Sequence, residues 1–245
     1  MGRKEKVTYF KKEESSLETI AFENITCWSE IKEPVLLHVD FELPADQTVI
    51  VKSSNPLHAI QFLEVLAGRK FPETGRVLIN DQDRIDLMYN DEKYNSLLGC
   101  YFENERAVAV NAKVSQLISG SAWSEEQVSE ALEHFGILDL ANKNFFDLSY
   151  ENQKIILLLS AIKNNPEMLI LEDPASGLSE LYFLNFLDFI QFQQRRGHLR
   201  HIFLTNCHPT AEKKLIDATL LYVEDGFLYQ EELLETKKPF TSKVE

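Results

Sequence analysis

Apolar positions along the chain follow two periods, and their alternation predicts an α/β fold. Short β-branched and aromatic runs over residues 19–28, 35–43, 48–51 and 201–205 read as strands. Met168-Leu169-Ile170-Leu171 is apolar at every position, as in a parallel strand covered on both faces, and ends in Glu172-Asp173-Pro174. Two carboxylates therefore reach the carboxyl end of a buried strand, where open α/β sheets place their ligands. Helical spacing covers residues 59–68, ending at Gly68. Ser124-Glu125-Glu126-Gln127 is a capping box opening a helix with Val128, Leu132 and Phe135 on one face. Ser149 is an N-cap for the next helix, and Asp225-Gly226 forms the tight turn of a closing hairpin. Residues 1–17 and 235–245 read as polar tails around one domain, 18–234.

Composition narrows the function classes. A net charge of −14 over 245 residues excludes a general affinity for nucleic acid, which requires cationic neutralisation of phosphates. The longest apolar run, residues 155–159, is far short of the ~20 residues of a membrane span. The basic N-terminus carries no secretory pattern, and Lys6 stands where a myristoylation signal needs Ser or Thr. Cys27, Cys100 and Cys207 have no metal-ligand spacing and fit a reducing compartment. These features lead us to expect a soluble cytoplasmic protein with no bound metal.

Leu148-Ser149-Tyr150-Glu151-Asn152-Gln153, the strand ending in Glu172-Asp173-Pro174, and Phe71-Pro72-Glu73-Thr74-Gly75-Arg76-Val77-Leu78-Ile79 follow one another in an order that resembles the ATP-binding cassette (ABC) ATPases. The resemblance spans roughly residues 18–234. It implies a P-loop NTPase-like ABC ATPase fold: a mixed sheet core, an antiparallel β subdomain and an inserted helical subdomain at about 105–165. The family's phosphate loop, GxxGxGKST, falls on Ser53-Ser54-Asn55-Pro56-Leu57-His58-Ala59-Ile60-Gln61. Its three glycines are Ser53, Pro56 and His58 here, its lysine is Ala59, and its metal-binding hydroxyl is Ile60. Such a loop works through inward-facing N–H groups and a counter-charge; Pro56 removes one N–H and fixes φ, and Lys52 lies on the wrong side. The expectation is that no nucleotide cofactor binds in this chain's own site.

Other landmarks are altered in the same sense. The signature glycines are replaced by Tyr150 and Glu151, which would meet a partner's γ-phosphate with bulk and negative charge. The Walker B acids are swapped to Glu172-Asp173, and the D-loop aspartate is Ser179. Glu103 stands at the Q-loop glutamine, as a relay or simply as a solvated acid. Trp28 lies near the family's adenine-stacking aromatic, although sheet packing accounts for it equally. The switch histidine aligns with Asn206 or His208. Together the resemblance implies a vestigial site (Glu172, Asp173, Glu103, His208) and a dimer face at Ser149, Tyr150, Glu151, Asn152 and Ser179. It further implies an inactive subunit paired with a second or identical nucleotide-binding subunit, docked on ABC transmembrane subunits at the inner face of the membrane. Mg-ATP would then bind at the partner. Two alternatives stay open from sequence: an unorthodox active ATPase, and a free-standing soluble adaptor.

Overall fold

The computed structural model describes residues 17–44, 46–89, 97–104, 111–205, 214–215, 217–231 and 238–239. An antiparallel sheet is built from β1 (Thr19–Trp28), β2 (Pro34–Pro44), β4 (Thr74–Ile79) and β5 (Gln82–Asp83), in the order β2-β1-β4-β5. A larger sheet comprises β3 (Thr48–Lys52), β6 (Leu98–Tyr101), β7 (Met168–Leu171), β8 (His201–Thr205), β9 (Thr219–Glu224), β10 (Phe227–Glu231) and β11 (Lys238–Pro239). Its order is β11-β10-β9-β3-β8-β7-β6. The strands from β9 to β6 run parallel, while β10 and β11 join antiparallel. Six α-helices are described: α1 (Pro56–Ala67), α2 (Arg84–Tyr89), α3 (Val114–Ile118), α4 (Glu125–His134), α5 (Tyr150–Ile162) and α6 (Glu180–Arg195).

The period-2 geometry of the central strands divides the core between the two faces of the large sheet. Val49, Val51, Met168, Ile170 and Phe203 pack with α1 and the antiparallel sheet. Ile50, Leu169, Leu171, Ile202 and Leu204 face the helices on the other side, with Ile155, Ile156, Leu158 and Leu159 of α5. An unbroken apolar run such as residues 168–171 therefore serves two cores at once. Ser124 caps α4 through the Gln127 N–H, and Ser149 caps α5 through the Asn152 N–H, as their residue types predict.

The structure differs from the sequence reading in three places. The sequence places the helix from residue 59, but α1 already begins at Pro56, with Asn55 as its N-cap. Proline suits that position because its missing N–H has no intrahelical partner there. Lys238–Pro239, placed in the C-terminal tail, pairs as an edge strand with Tyr229 and Gln230. Leu17, placed in the N-terminal tail, is buried, and its N–H donates to Glu167 Oε2 (2.5 Å).

His201, on β8, is fully buried with neither ring nitrogen hydrogen-bonded. Burial pushes its pKa from 6.5 down to about 4, so the folded protein holds it neutral. The unfolded chain protonates first as pH falls, so this group leaves stability intact above pH 6.5 and removes it as pH drops toward 4. Urea unfolding of His201→Leu beside wild type should show the difference. Wild type loses up to about 3 kcal/mol more than the variant across that window.

Candidate functional site

The carboxyl ends of β3, β6, β7 and β8, with the first turn of α1, bring together most of the residues singled out from sequence. Every backbone N–H available between Ser54 and His58 has an acceptor within the chain. The Ser54 N–H and Oγ both donate to the Glu224 carboxylate, at 2.5 Å each. The Asn55 N–H donates to Ser53 Oγ (3.2 Å), and Ser53 Oγ–H in turn donates to the Val223 carbonyl (2.6 Å). The Leu57 N–H reaches Asn55 Oδ1 (3.2 Å) and the His58 N–H reaches the Asn55 carbonyl (2.9 Å). Pro56 has none to give. A helix N-terminus attracts an anion, and here the end of β9 supplies that anion as a side chain. Glu224 escaped the sequence reading; its only signal was its place immediately before the Asp225-Gly226 turn.

A second cluster joins β6, α5 and β7. Lys154 Nζ, buried in α5, donates to Glu103 Oε2 (2.8 Å) and to the Asp173 carbonyl (2.9 Å), and lies 4.3 Å from the centre of the Tyr101 ring. Glu103 also accepts from the Tyr101 hydroxyl and from the Tyr150 hydroxyl (3.4 Å). Its backbone N–H donates to Glu172 Oε2 (3.0 Å). The alternative that Glu103 is only a solvated loop acid is thereby corrected: an ammonium and two phenols hold it, because Lys154 is buried where its charge needs a partner. Lys154 was missed in the sequence, where it is a single cation just before the apolar run of α5.

Glu172 is buried, and its carboxyl pKa is pushed up, first by loss of water and further by the Glu103, Glu64 and Asp173 carboxylates; the Glu103 N–H opposes the rise. Asp173 adopts φ 43°, and its N–H donates to the buried Thr205 Oγ1 (3.0 Å). A left-handed backbone suits Asp better than most residues.

Residues 149–152, where the sequence resembles the family's signature, are also engaged within the chain. The Tyr150 ring lies against Gly177, whose φ of +73° and lack of a Cβ make room for it. Glu151 Oε1 accepts from the Ser179 N–H (2.6 Å), a carboxylate at the start of α6, while the Ser179 side chain makes no cap bond. Ser149 and Asn152 form the α5 cap already described. Trp28 closes β1 half-exposed; its N–H donates to Glu73 Oε2 (3.2 Å) and its carbonyl accepts from Lys70 Nζ (2.6 Å). A cleft of about 240 Å³ beside α1 is lined by the turn that follows Trp28, by Leu57, His58, Ile60, Gln61 and Glu64, and by Glu172. Asn206 and His208 lie outside the described residues.

A sequence profile of the ABC transporter family matches residues 36–176. The chain belongs to the ABC transporter family. A putative ABC transporter ATP-binding protein of Bacillus cereus (strain ATCC 10987 / NRS 248) is 26% identical over 211 residues, 82% of this chain and 37% of its own length. This chain thus spans little more than a third of that relative. A bacterial Atm1-family ABC exporter, solved with ATP bound, aligns with TM-score 0.70 at 18% identity, over 86% of this chain and 38% of the exporter. A dimeric bacterial ABC transporter cassette aligns with TM-score 0.69 at 17% identity, over 89% of this chain and 100% of the cassette. At such identities the likeness establishes the fold, that of an ABC ATPase. Among the described residues no helix is long and apolar enough to cross a membrane.

Proposed function

We propose that this chain is a catalytically inactive cassette of an ABC transporter complex. It pairs with a second cassette, different or identical, and docks on transmembrane subunits as a peripheral protein of the cytoplasmic face. Mg-ATP is handled by the partner. The observation that carries this reading is the first turn of α1, where the amides that would cradle phosphate already serve Glu224, Ser53 and Asn55. The residues present do not fit Mg-ATP. Ala59 and Ile60 offer neither a counter-charge nor a metal ligand, and the Glu224 carboxylate would repel the triphosphate it stands in for.

The dimer-facing residues support the same conclusion. The Tyr150 hydroxyl donates to Glu103 and the Glu151 carboxylate accepts from the Ser179 N–H, so bulk and negative charge stand where glycines would leave a partner's phosphate room. Glu172 and Asp173 tie the end of β7 to the ends of β6 and β8 through the Glu103 and Thr205 contacts. What such a chain supplies to a complex is a rigid cassette-shaped body, and the positions that elsewhere do chemistry contribute to its stability.

The test is ATP turnover by the purified transporter complex carrying Glu172→Gln with Asp173→Asn in this chain. Turnover should stay at the wild-type rate. A fall on the order of a hundredfold, the size of a lost general base, would make this chain an active ATPase.

A further inference from the structure

Away from the cleft beside α1, a cavity of about 420 Å³ opens between α4 and the C-terminal half of α6, a size that suits a small molecule. Its apolar wall is aromatic, made by Trp123, His134, Phe189 and Phe192. Contacts of their own hold these rings in place. Trp123, 8% exposed, donates its Nε1–H to Asn165 Oδ1 (2.8 Å) and meets the Phe189 ring edge to face at 6.2 Å. The His134 ring lies 5.4 Å from Phe189, and its Nε2 is 3.2 Å from the Asn185 carbonyl. A carbonyl only accepts, so Nε2 carries the proton. Phe192, half-exposed at the rim, carries the Arg196 guanidinium over its face, 5.4 Å from the ring centre. Walls held in this way need little ordering when a ligand arrives.

The charged groups at the cavity select the ligand. They are Arg195, Arg196, Asp188 and Glu130, beside the titratable His134. Lys214 Nζ already neutralises Asp188 (2.5 Å). Arg195 has no ion pair or hydrogen bond through its side chain among the described residues. Both arginines lie at the negative end of the α6 dipole, which favours a cation there but supplies no carboxylate for either fork. In a chain with 39 acidic side chains against 25 Lys and Arg, a guanidinium left without an acid at the mouth of an aromatic cavity is open to an anion from outside. We propose that this cavity binds a small aromatic carboxylate, its ring against Trp123, Phe189 and His134 and its carboxylate on Arg195 and Arg196. Glu130, without a partner among the described residues, weighs against a polyanion such as a nucleotide. The cavity shares no lining residue with the cleft beside α1, so the site is independent of whether this cassette hydrolyses ATP.

Titration calorimetry on the full chain tests this, with 2-naphthoate as the probe and 2-naphthylmethylamine as its cationic counterpart. The carboxylate should bind with a dissociation constant of about 1 mM or tighter, and at least about fivefold more tightly than the amine. Its affinity should weaken with added salt. The double variant Arg195→Gln with Arg196→Gln should lose about tenfold in affinity, and Phe192→Ala about threefold or more. All of these positions are exposed, so the variants keep the fold, and an unchanged urea midpoint checks it. No heat from naphthoate, binding of the amine as tight or tighter, or an unchanged affinity in either variant overturns the inference.

Discussion

Replacing Lys154 with methionine is expected to lower the unfolding free energy by about 3 kcal/mol, the lower end of the range for breaking a buried ion pair. For a chain of this size that is roughly 6–12 °C in Tm. The lysine ammonium is buried while Glu103 is partly exposed, which places the cost at that lower end. Its loss leaves Glu103 beside Glu172 without the cation that balances them, and removes a donor from the Asp173 carbonyl. The double variant Lys154→Met with Glu103→Gln should recover most of the loss, because removing both charges of a buried pair is often close to neutral. Urea unfolding of the four proteins gives the coupling energy. An unchanged midpoint in the single variant would mean that the Lys154–Glu103 contact contributes nothing to the fold.

Gly75→Ala should be more damaging still, by about 4 kcal/mol or more, and is expected to leave little soluble protein. Gly75 has φ +83°, and a Cβ there would overlap the backbone carbonyl oxygens of Glu23 and Asn24, where β1 shifts register against β4. The obstructing atoms are all backbone of β1, so no side chain can swing aside. Gly136→Ala is the matched control: its φ of +66° imposes the same left-handed strain, but open space surrounds it. That variant should lose only about 1–2 kcal/mol. Equal losses from the two would show that φ alone, and not the close approach of β1, fixes the glycine at position 75.

The parts of the fold legible in sequence are those set by local patterns. The unbroken apolar run at 168–171 announced a strand covered on both faces, and Ser124 and Ser149 announced two helix starts, because a strand's period and a cap's side chain act within a few residues. Glu224 and Lys154 were not legible. Glu224 meets Ser54 across 170 residues and Lys154 meets Glu103 across 51, and no local pattern encodes which acid a distant amide or ammonium will find. The same limit explains the start of α1. Asn55-Pro56 reads as part of a loop, yet an N-cap followed by proline is also how a helix begins. The residues at positions 53–61 and 149–152 were visible one by one. Only the geometry shows that Ser53, Asn55, Tyr150 and Glu151 find partners inside the chain.

The most direct measurement is calorimetric titration of the isolated chain with Mg-ATP. We expect no binding heat, meaning a dissociation constant weaker than about 1 mM, with Ser54 and Glu224 remaining bonded to each other. Saturable binding on the order of micromolar, with nucleotide displacing Glu224 from the first turn of α1, would contradict the claim that this cassette has traded its phosphate site for internal structure.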